Sequence, residues 1–317
     1  MLKEKIKNIL TLLRIRQYYK NGLIFVGAFF SKMMLSRSNF PLLILGFIIL
    51  CLVSSINYII NDIRDIEKDK HHPEKLQKKP LASGDISKLT AYLMILLIIA
   101  FVGVMLIFVI PNMGFTIMLI LLILTGQAYN HLFKNFAFAD IVVLSLGYIW
   151  RSLSGCLLIN VYISPWLLLA IFEIALFLVI AKRKGDLILL GEEKAGKHKE
   201  SYDQYSLKLL EQFHIMIGAS LFITYSLYLI IRFDLFLREG ILINDYLVFL
   251  TLPALLYIIM RYLYLINDSP ETARKAELLF LDKGILIAVI FMAGILGYVF
   301  YFELILNVID TYLFDIL

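Results

Sequence analysis

The sequence predicts an all-α membrane protein: a bundle of nine transmembrane helices in a single domain, with its N-terminus on the cytoplasmic side. Three observations support that fold class. Of 317 residues, 61% are hydrophobic and only 17% are charged, which is more apolar surface than a soluble domain of this size can bury. The apolar residues come in long runs, without the period-two alternation of a barrel strand. The basic residues collect in alternate loops, as cytoplasmic loops of membrane proteins do.

The elements follow in order. Residues 1–20, MLKEKIKNILTLLRIRQYYK, place Leu2, Ile6, Ile9, Leu10 and Leu13 on one stripe with Lys or Arg elsewhere, the pattern of an amphipathic helix lying along the inner interface. The bulky run after it, NGLIFVGAFF, lacks the small-residue pattern of a signal-peptide cleavage site. A spanning helix needs about 20 predominantly apolar residues to cross a hydrocarbon core of about 30 Å. Nine stretches answer approximately to that description, at 21–36, 40–60, 89–110, 113–130, 138–159, 164–181, 213–232, 246–266 and 284–305, the first being weakest because Lys32 interrupts it. Cys51 and Cys156 fall within spans and read as packing residues. No linker rich in Gly, Pro or Ser divides the chain, so 1–317 reads as one domain.

Charge orients the bundle. Six Lys or Arg precede the first span, seven lie in 61–88, Lys134 follows the fourth span, seven lie in 182–208 and three in 274–283, so 24 of 30 fall on one side. The other side receives Lys32, Arg37, Arg232 and Arg238, while Arg151 and Arg261 sit inside predicted spans. Two long charged loops, 61–88 and 182–212, follow the second and sixth spans, so one topological position recurs four helices later.

The first of these loops carries chemistry. In NDIRDIEKDKHHPEKLQKKPLASG, residues 61–84, a second helix that ran on past the membrane would set Asp62, Asp65 and Asp69 at i, i+3 and i+7 on one face, with Asn57 and Asn61 extending it into the bilayer. Stacked carboxylates repel unless a cation sits among them, and hard oxygen ligands suit Mg2+ carrying a substrate diphosphate. A solvated juxtamembrane charge run is the alternative. Lys70, His71, His72, Lys75, Lys78 and Lys79 follow, placed to hold phosphate oxygens. Anionic lipid is the alternative partner for these cations, and the interleaved acids argue against it.

NDIRDIEKD resembles the NDxxDxxxD pattern of the UbiA superfamily of intramembrane prenyltransferases, whose nine-helix fold binds Mg2+ diphosphate at that motif. The closer resemblance is to the decaprenyl-phosphate phosphoribosyltransferases. RIRQYYKNGLIF at 14–25 is similar to their RPRQWxKN opening, residues 61–84 to their NDxxDxxxDxxHPxKxxRPxAxG, AKRKGD at 181–186 to their GKRxxE, and SPETARKAELLFLDKGIL at 269–286 to their PE...LxDxxL segment.

That resemblance implies transfer of 5-phosphoribose from phosphoribosyl diphosphate (PRPP) to a polyprenyl phosphate, with Mg2+ as cofactor, release of diphosphate and inversion at the anomeric carbon. It implies a site facing the cytoplasm in the plasma membrane, a product that feeds cell-wall arabinan, and no nucleic-acid partner. Asp62, Asp65 and Asp69 become the metal-holding catalytic residues, with Asn61 and His72 in the same motif. Lys75, Lys182 and Arg183 are expected on the donor's phosphates, with Asp186 orienting them or meeting a ribose hydroxyl, and Lys79 belongs to the same substrate-binding set. Arg16 and Lys20 are expected on the acceptor phosphate. Arg151, in GYIWRSLSG, is costly within a span and normally faces a bundle interior; its partner is a phosphate or an acid such as Glu173. Lys134 and Asp140 resemble family positions or form a local ion pair.

Two departures matter. Quinone-type members carry a second aspartate motif after the sixth helix, where this chain has Lys182, Arg183, Lys184 and only then Asp186. Asp186 and Lys79 also stand where the phosphoribosyltransferases have Glu and Arg. The competing functions are prenyl transfer from a prenyl diphosphate to an aromatic acceptor, which the cationic KRKGD segment argues against, and a lipid-binding protein or transporter without chemistry.

Overall fold

The computed structural model describes residues 2–71, 73–192, 195–196, 199–234 and 246–314. Among these residues every regular element is helical. Helix α1 (Leu2–Leu12) stops earlier than the predicted 1–20 helix, because Arg14 adopts a left-handed conformation with φ 54°. A 3-10 helix (Ile15–Phe25) and the short α2 (Val26–Phe30) follow. The first predicted span, 21–36, is therefore not one long helix. Its apolar run is short, Asn21 is engaged in side-chain hydrogen bonds, and the chain turns again at Lys32 with φ 63°.

The long helix α3 (Asn39–Arg64) leads into three short ones, α4 (Ile66–Lys70), α5 (Pro73–Lys78) and α6 (Pro80–Ser83). Then come α7 (Lys88–Phe108), α8 (Met113–His131), α9 (Ala139–Leu158) and α10 (Pro165–Leu190). A 3-10 turn (Glu200–Gln204) precedes α11 (Leu207–Arg232), and α12 (Thr251–Asp268), α13 (Pro270–Arg274) and α14 (Lys283–Phe314) complete the chain. Local sequence sets several starts: Ser87, Asn112 and Ser206 each accept a hydrogen bond from the backbone N–H three residues on, and Pro165 opens α10. Among the described residues eight helices are long and apolar enough to cross a membrane: α3, α7 to α12 (α12 counted from Val248) and the first part of α14. This is a multi-pass membrane protein.

Backbone packing groups the chain into two compact units, 1–133 with 146–163 and 134–145 with 164–317. In the first, Ile24, Leu43, Ile49, Leu50, Ile59 and Phe115 are fully buried around α3. The 3-10 helix comes very close to α9 there: a Cβ on Gly155 would lie 1.8 Å from the carbonyl oxygen of Ile24, so only glycine permits the contact. In the second, α10 packs on α11 and α13 through Phe177, Ala181, Leu221 and Ala273, with Ile266 of α12 in the same cluster. A Cβ on Gly185 would stand 2.8 Å from the Pro270 carbonyl, and this close approach carries Arg274 to Asp186.

Candidate active site

In the first unit the predicted continuous helix breaks. α3 ends at Arg64, Asp65 takes φ −90° and ψ 5°, and α4 starts at Ile66. The break is mild, since Asp65 N–H still reaches the Asn61 carbonyl and Asp69 N–H the Asp65 carbonyl. Asp62 and Asp69, both almost fully buried, converge on the Lys79 ammonium at 2.8 and 2.6 Å. Lys79 is held extended by the proline that follows it. Arg14 Nη2 donates to the same Asp62 oxygen at 2.6 Å, and its guanidinium lies 4.9 Å from the Tyr58 ring centre.

Arg14 opens an antiparallel seam along α3. The Tyr18 hydroxyl pairs with Ser55 Oγ at 2.9 Å, Asn21 Nδ2 donates to Cys51 Sγ at 3.2 Å, and Ser54 Oγ donates to Asn21 Oδ1 at 3.1 Å. Residues 14, 18 and 21 thus meet 62, 55 and 51–54, which turns RIRQYYKN into a polar edge with Arg14, Tyr18 and Asn21 on one side. Arg16 is exposed, and Lys20 lies 5.8 Å from the Tyr19 ring.

The donor set fits a divalent cation. Two carboxylates already aim at one positively charged point, and Mg2+ is commonly held by one or two carboxylates plus substrate phosphates. The ammonium of Lys79 occupies that point. Among the described residues no three His, Cys, Asp or Glu gather closely enough to hold a metal by themselves.

The second unit gathers cations around two acids. Asp140, fully buried, lies 3.0 Å from Arg183 Nε, is bonded by the Lys199 ammonium and accepts from Tyr205 Oη at 2.6 Å. Asp186 accepts from Tyr202 Oη at 2.6 Å and from Arg274 Nε at 2.8 Å, while Arg183 Nη1 donates to Tyr202 Oη at 3.1 Å. Burial, reinforced by the Arg183 charge, depresses Lys199 to about 8 against the pull of Asp140. Burial pushes the Tyr202 and Tyr205 phenols up, so both stay protonated donors. Among the described contacts, Arg183, Lys199 and Arg274 gather on Asp140 and Asp186, a grouping of cations suited to a phosphate.

Residues 23–284 match the UbiA prenyltransferase family. The chain belongs to that family. Among curated relatives, it is 28% identical to the decaprenyl-phosphate phosphoribosyltransferase of Mycolicibacterium smegmatis over 58% of this chain and 56% of that one. It is 26% identical to the enzyme of that name from Corynebacterium glutamicum over 68% of this chain and 65% of that one. These alignments span between about half and two thirds of the relatives' length. Among solved structures, a UbiA homolog from Archaeoglobus fulgidus bound to DMAPP and Mg2+ superposes with a TM-score of 0.62 at 17% identity, covering 92% of this chain and 98% of that one. That likeness establishes the fold.

This UbiA-family chain distributes its predicted site residues unevenly. Asp62, Asp69 and Lys79 come together, as do Arg183 and Asp186. Asp65 stands half-buried at the helix break, Asn61 is half-buried beside it, and Lys182 is exposed. Lys184 is buried against Glu211 and Asn267. Lys134 is half-buried near Lys199, whose proton its charge disfavours. His72 and the side chain of Lys75 lie outside the described residues. Arg151 bonds Asn21 Oδ1 and the Gly147 carbonyl, both at 2.7 Å, so of the two expected partners, a phosphate or an acid, the acid gives way to an amide. Glu173, in the other unit, accepts from Ser220 and Thr224. Sequence reasoning missed Arg14, Lys199, Tyr202, Tyr205 and Arg274. Arg14 and the ESYDQY tyrosines carried a signal, the first inside a quoted motif and the second as hydroxyls three apart in a polar loop; Lys199 carried none.

Proposed function

We propose that this UbiA-family protein is a polyprenyl-phosphate phosphoribosyltransferase: it moves 5-phosphoribose from PRPP to a polyprenyl phosphate and releases diphosphate. The observation that carries the reading is the second cluster. A quinone-type prenyltransferase needs carboxylates for metal after its sixth helix. Here the acids Asp140 and Asp186 are engaged in positioning Arg183, Lys199 and Arg274, a set that recognises a phosphate monoester such as the one PRPP carries on its ribose. The relatives named for this activity support the same reading.

In the reaction the bond from ribose C1 to the diphosphate oxygen breaks and a bond from C1 to an acceptor phosphate oxygen forms. Asp62 and Asp69 would hold Mg2+, with Asp65 as a proposed third ligand. When bound, Mg2+ supplies charge neutralisation for the leaving diphosphate. Lys79, released from its two carboxylates, would donate to diphosphate oxygens, and Arg14 would keep Asp62 in place. The acceptor phosphate has a second pKa of about 6 and is already anionic at neutral pH, so no general base is required. Arg183 and Lys199 would orient the ribose through its phosphate, which contributes by positioning. Attack opposite the leaving group inverts C1.

The test is purified protein in detergent with Mg2+, decaprenyl phosphate and radiolabelled PRPP, beside a parallel reaction with a prenyl diphosphate and 4-hydroxybenzoate. Label entering the lipid phase with wild type and not with Asp69→Asn supports the proposal. Prenylation of the aromatic acceptor with all label left aqueous would replace it with the quinone-type reaction.

A further inference from the structure

Among the described residues Arg151 presents a charge without a counterion. It lies within α9, a membrane-crossing helix, and is 9% exposed. Guanidinium stays protonated under all ordinary conditions and carries five N–H donors. Two of these reach neutral acceptors, Asn21 Oδ1 and the Gly147 carbonyl, and the Tyr148 ring centre lies 5.9 Å away. Among the described residues no carboxylate lies within ion-pair distance of it, and the remaining donors meet no acceptor. A buried charge in this state is strongly unfavourable and is normally retained only where a partner arrives.

Its surroundings are built. Asn21 is itself 1% exposed and is gripped from three sides, by Cys51, Ser54 and Arg151. The close approach at Gly155 seats the 3-10 helix so that Asn21 reaches α9. Asn21 therefore fixes the guanidinium through Nε and the Gly147 carbonyl takes one Nη1 N–H, which leaves Nη2 and the second Nη1 N–H for an anion, the pair by which arginine takes phosphate oxygens.

We infer that Arg151 is an anion site for the phosphate of a membrane-borne lipid, which under the function proposed above is the polyprenyl phosphate acceptor. Depth selects the lipid over the soluble donor. Arg151 meets α3 through Asn21 at Ser54, two turns from Asp62, or about 12 Å of helix rise. A phosphate on a hydrocarbon tail reaches that level within the bilayer.

Equilibrium binding of decaprenyl phosphate, decaprenol and inorganic phosphate to the purified full chain, followed by native mass spectrometry, tests this independently of turnover. Arg151→Gln is expected to weaken decaprenyl phosphate by about tenfold or more and to leave decaprenol unchanged. Asn21→Asp supplies an internal carboxylate to the same guanidinium; it should weaken the lipid phosphate similarly while holding or raising the melting temperature. Wild-type affinity in a folded Arg151→Gln or Asn21→Asp protein would overturn the site. Full displacement of the lipid by millimolar inorganic phosphate would overturn its assignment to a lipid. Transfer assays separate the two proposals: intact phosphoribosyl transfer with an unchanged acceptor KM in Arg151→Gln sinks this one alone, and Arg151-dependent lipid binding without any phosphoribosyl transfer sinks the other alone.

Discussion

The two charged clusters use carboxylates in opposite ways. In the first unit Asp62 and Asp69 point inward at one position, where Lys79 sits. In the second, Asp140 and Asp186 are each the hub of several donors, Arg183, Lys199 and Tyr205 around one and Tyr202 and Arg274 around the other. Convergent acids create a place where a cation is stabilised. Divergent acids hold cations apart in fixed orientations and leave a positive surface. The difference teaches that a carboxylate in a charged loop does not announce a metal; the direction in which its oxygens face decides.

Breaking the convergent cluster should have the largest effect. Asp69→Asn is expected to lower kcat/KM by about a hundredfold or more, the scale of losing a preorganised electrostatic contact, read from label transferred to lipid; near wild-type turnover would mean the pair is structural. Arg183→Lys keeps the charge but removes the planar group that spans Asp140 and Tyr202. It should raise the KM for PRPP by about tenfold with little change for the lipid, and an equal rise for both substrates would refute the division of labour.

Lys199 sharpens the comparison through pH. Its folded value of about 8 lies below the ordinary 10.5, so between those values the unfolded chain holds a proton that the folded chain lacks. Its contribution to stability therefore rises with pH across that window and is flat below it. Binding runs the other way, because the positive charge is lost above about 8. PRPP affinity should fall severalfold as pH rises through that point, and Lys199→Arg should flatten the profile; an unchanged slope in the variant would place the titration elsewhere.

Smaller effects probe the proposal that a metal ion takes the position of Lys79. Lys79→Gln should bind Mn2+ alone a few times more tightly, followed by the spectrum of free Mn2+, since the competing ammonium is gone while PRPP binding weakens. Equal Mn2+ affinity would show that the carboxylate pair holds no metal by itself. Smallest is Tyr205→Phe, which removes the bond to Asp140 and the one accepted from Phe138 N–H. Loss of about 1 kcal/mol, seen as a modest fall in melting temperature with donor KM nearly constant, is the expected outcome.

Much of this was legible in advance. Long apolar runs located the eight long helices, because hydrocarbon demands a fixed length of apolar helix whatever the neighbours. The acid spacing in NDIRDIEKD put Asp62, Asp65 and Asp69 on one face, and of these the structure brings Asp62 and Asp69 together on Lys79. The first predicted span was misjudged because hydropathy registers side-chain transfer and not the hydrogen bonds that Tyr18 and Asn21 make with α3. In RIRQYYKN all three cations look equivalent as letters, and a single left-handed residue at Arg14 determines that it, not Arg16, meets Asp62.

Sequence alone thus determined the membrane class, the family resemblance and the two loops where charge is concentrated, since each depends on composition or on spacing within one element. Only the tertiary structure decided which acid meets which cation. Lys79 lies ten residues beyond Asp69, Lys199 is 59 residues from Asp140 and Arg274 is 88 from Asp186. Pairings over such separations are set by how helices pack, through contacts such as Gly155 on Ile24 and Gly185 on Pro270, and no local period in the chain encodes them.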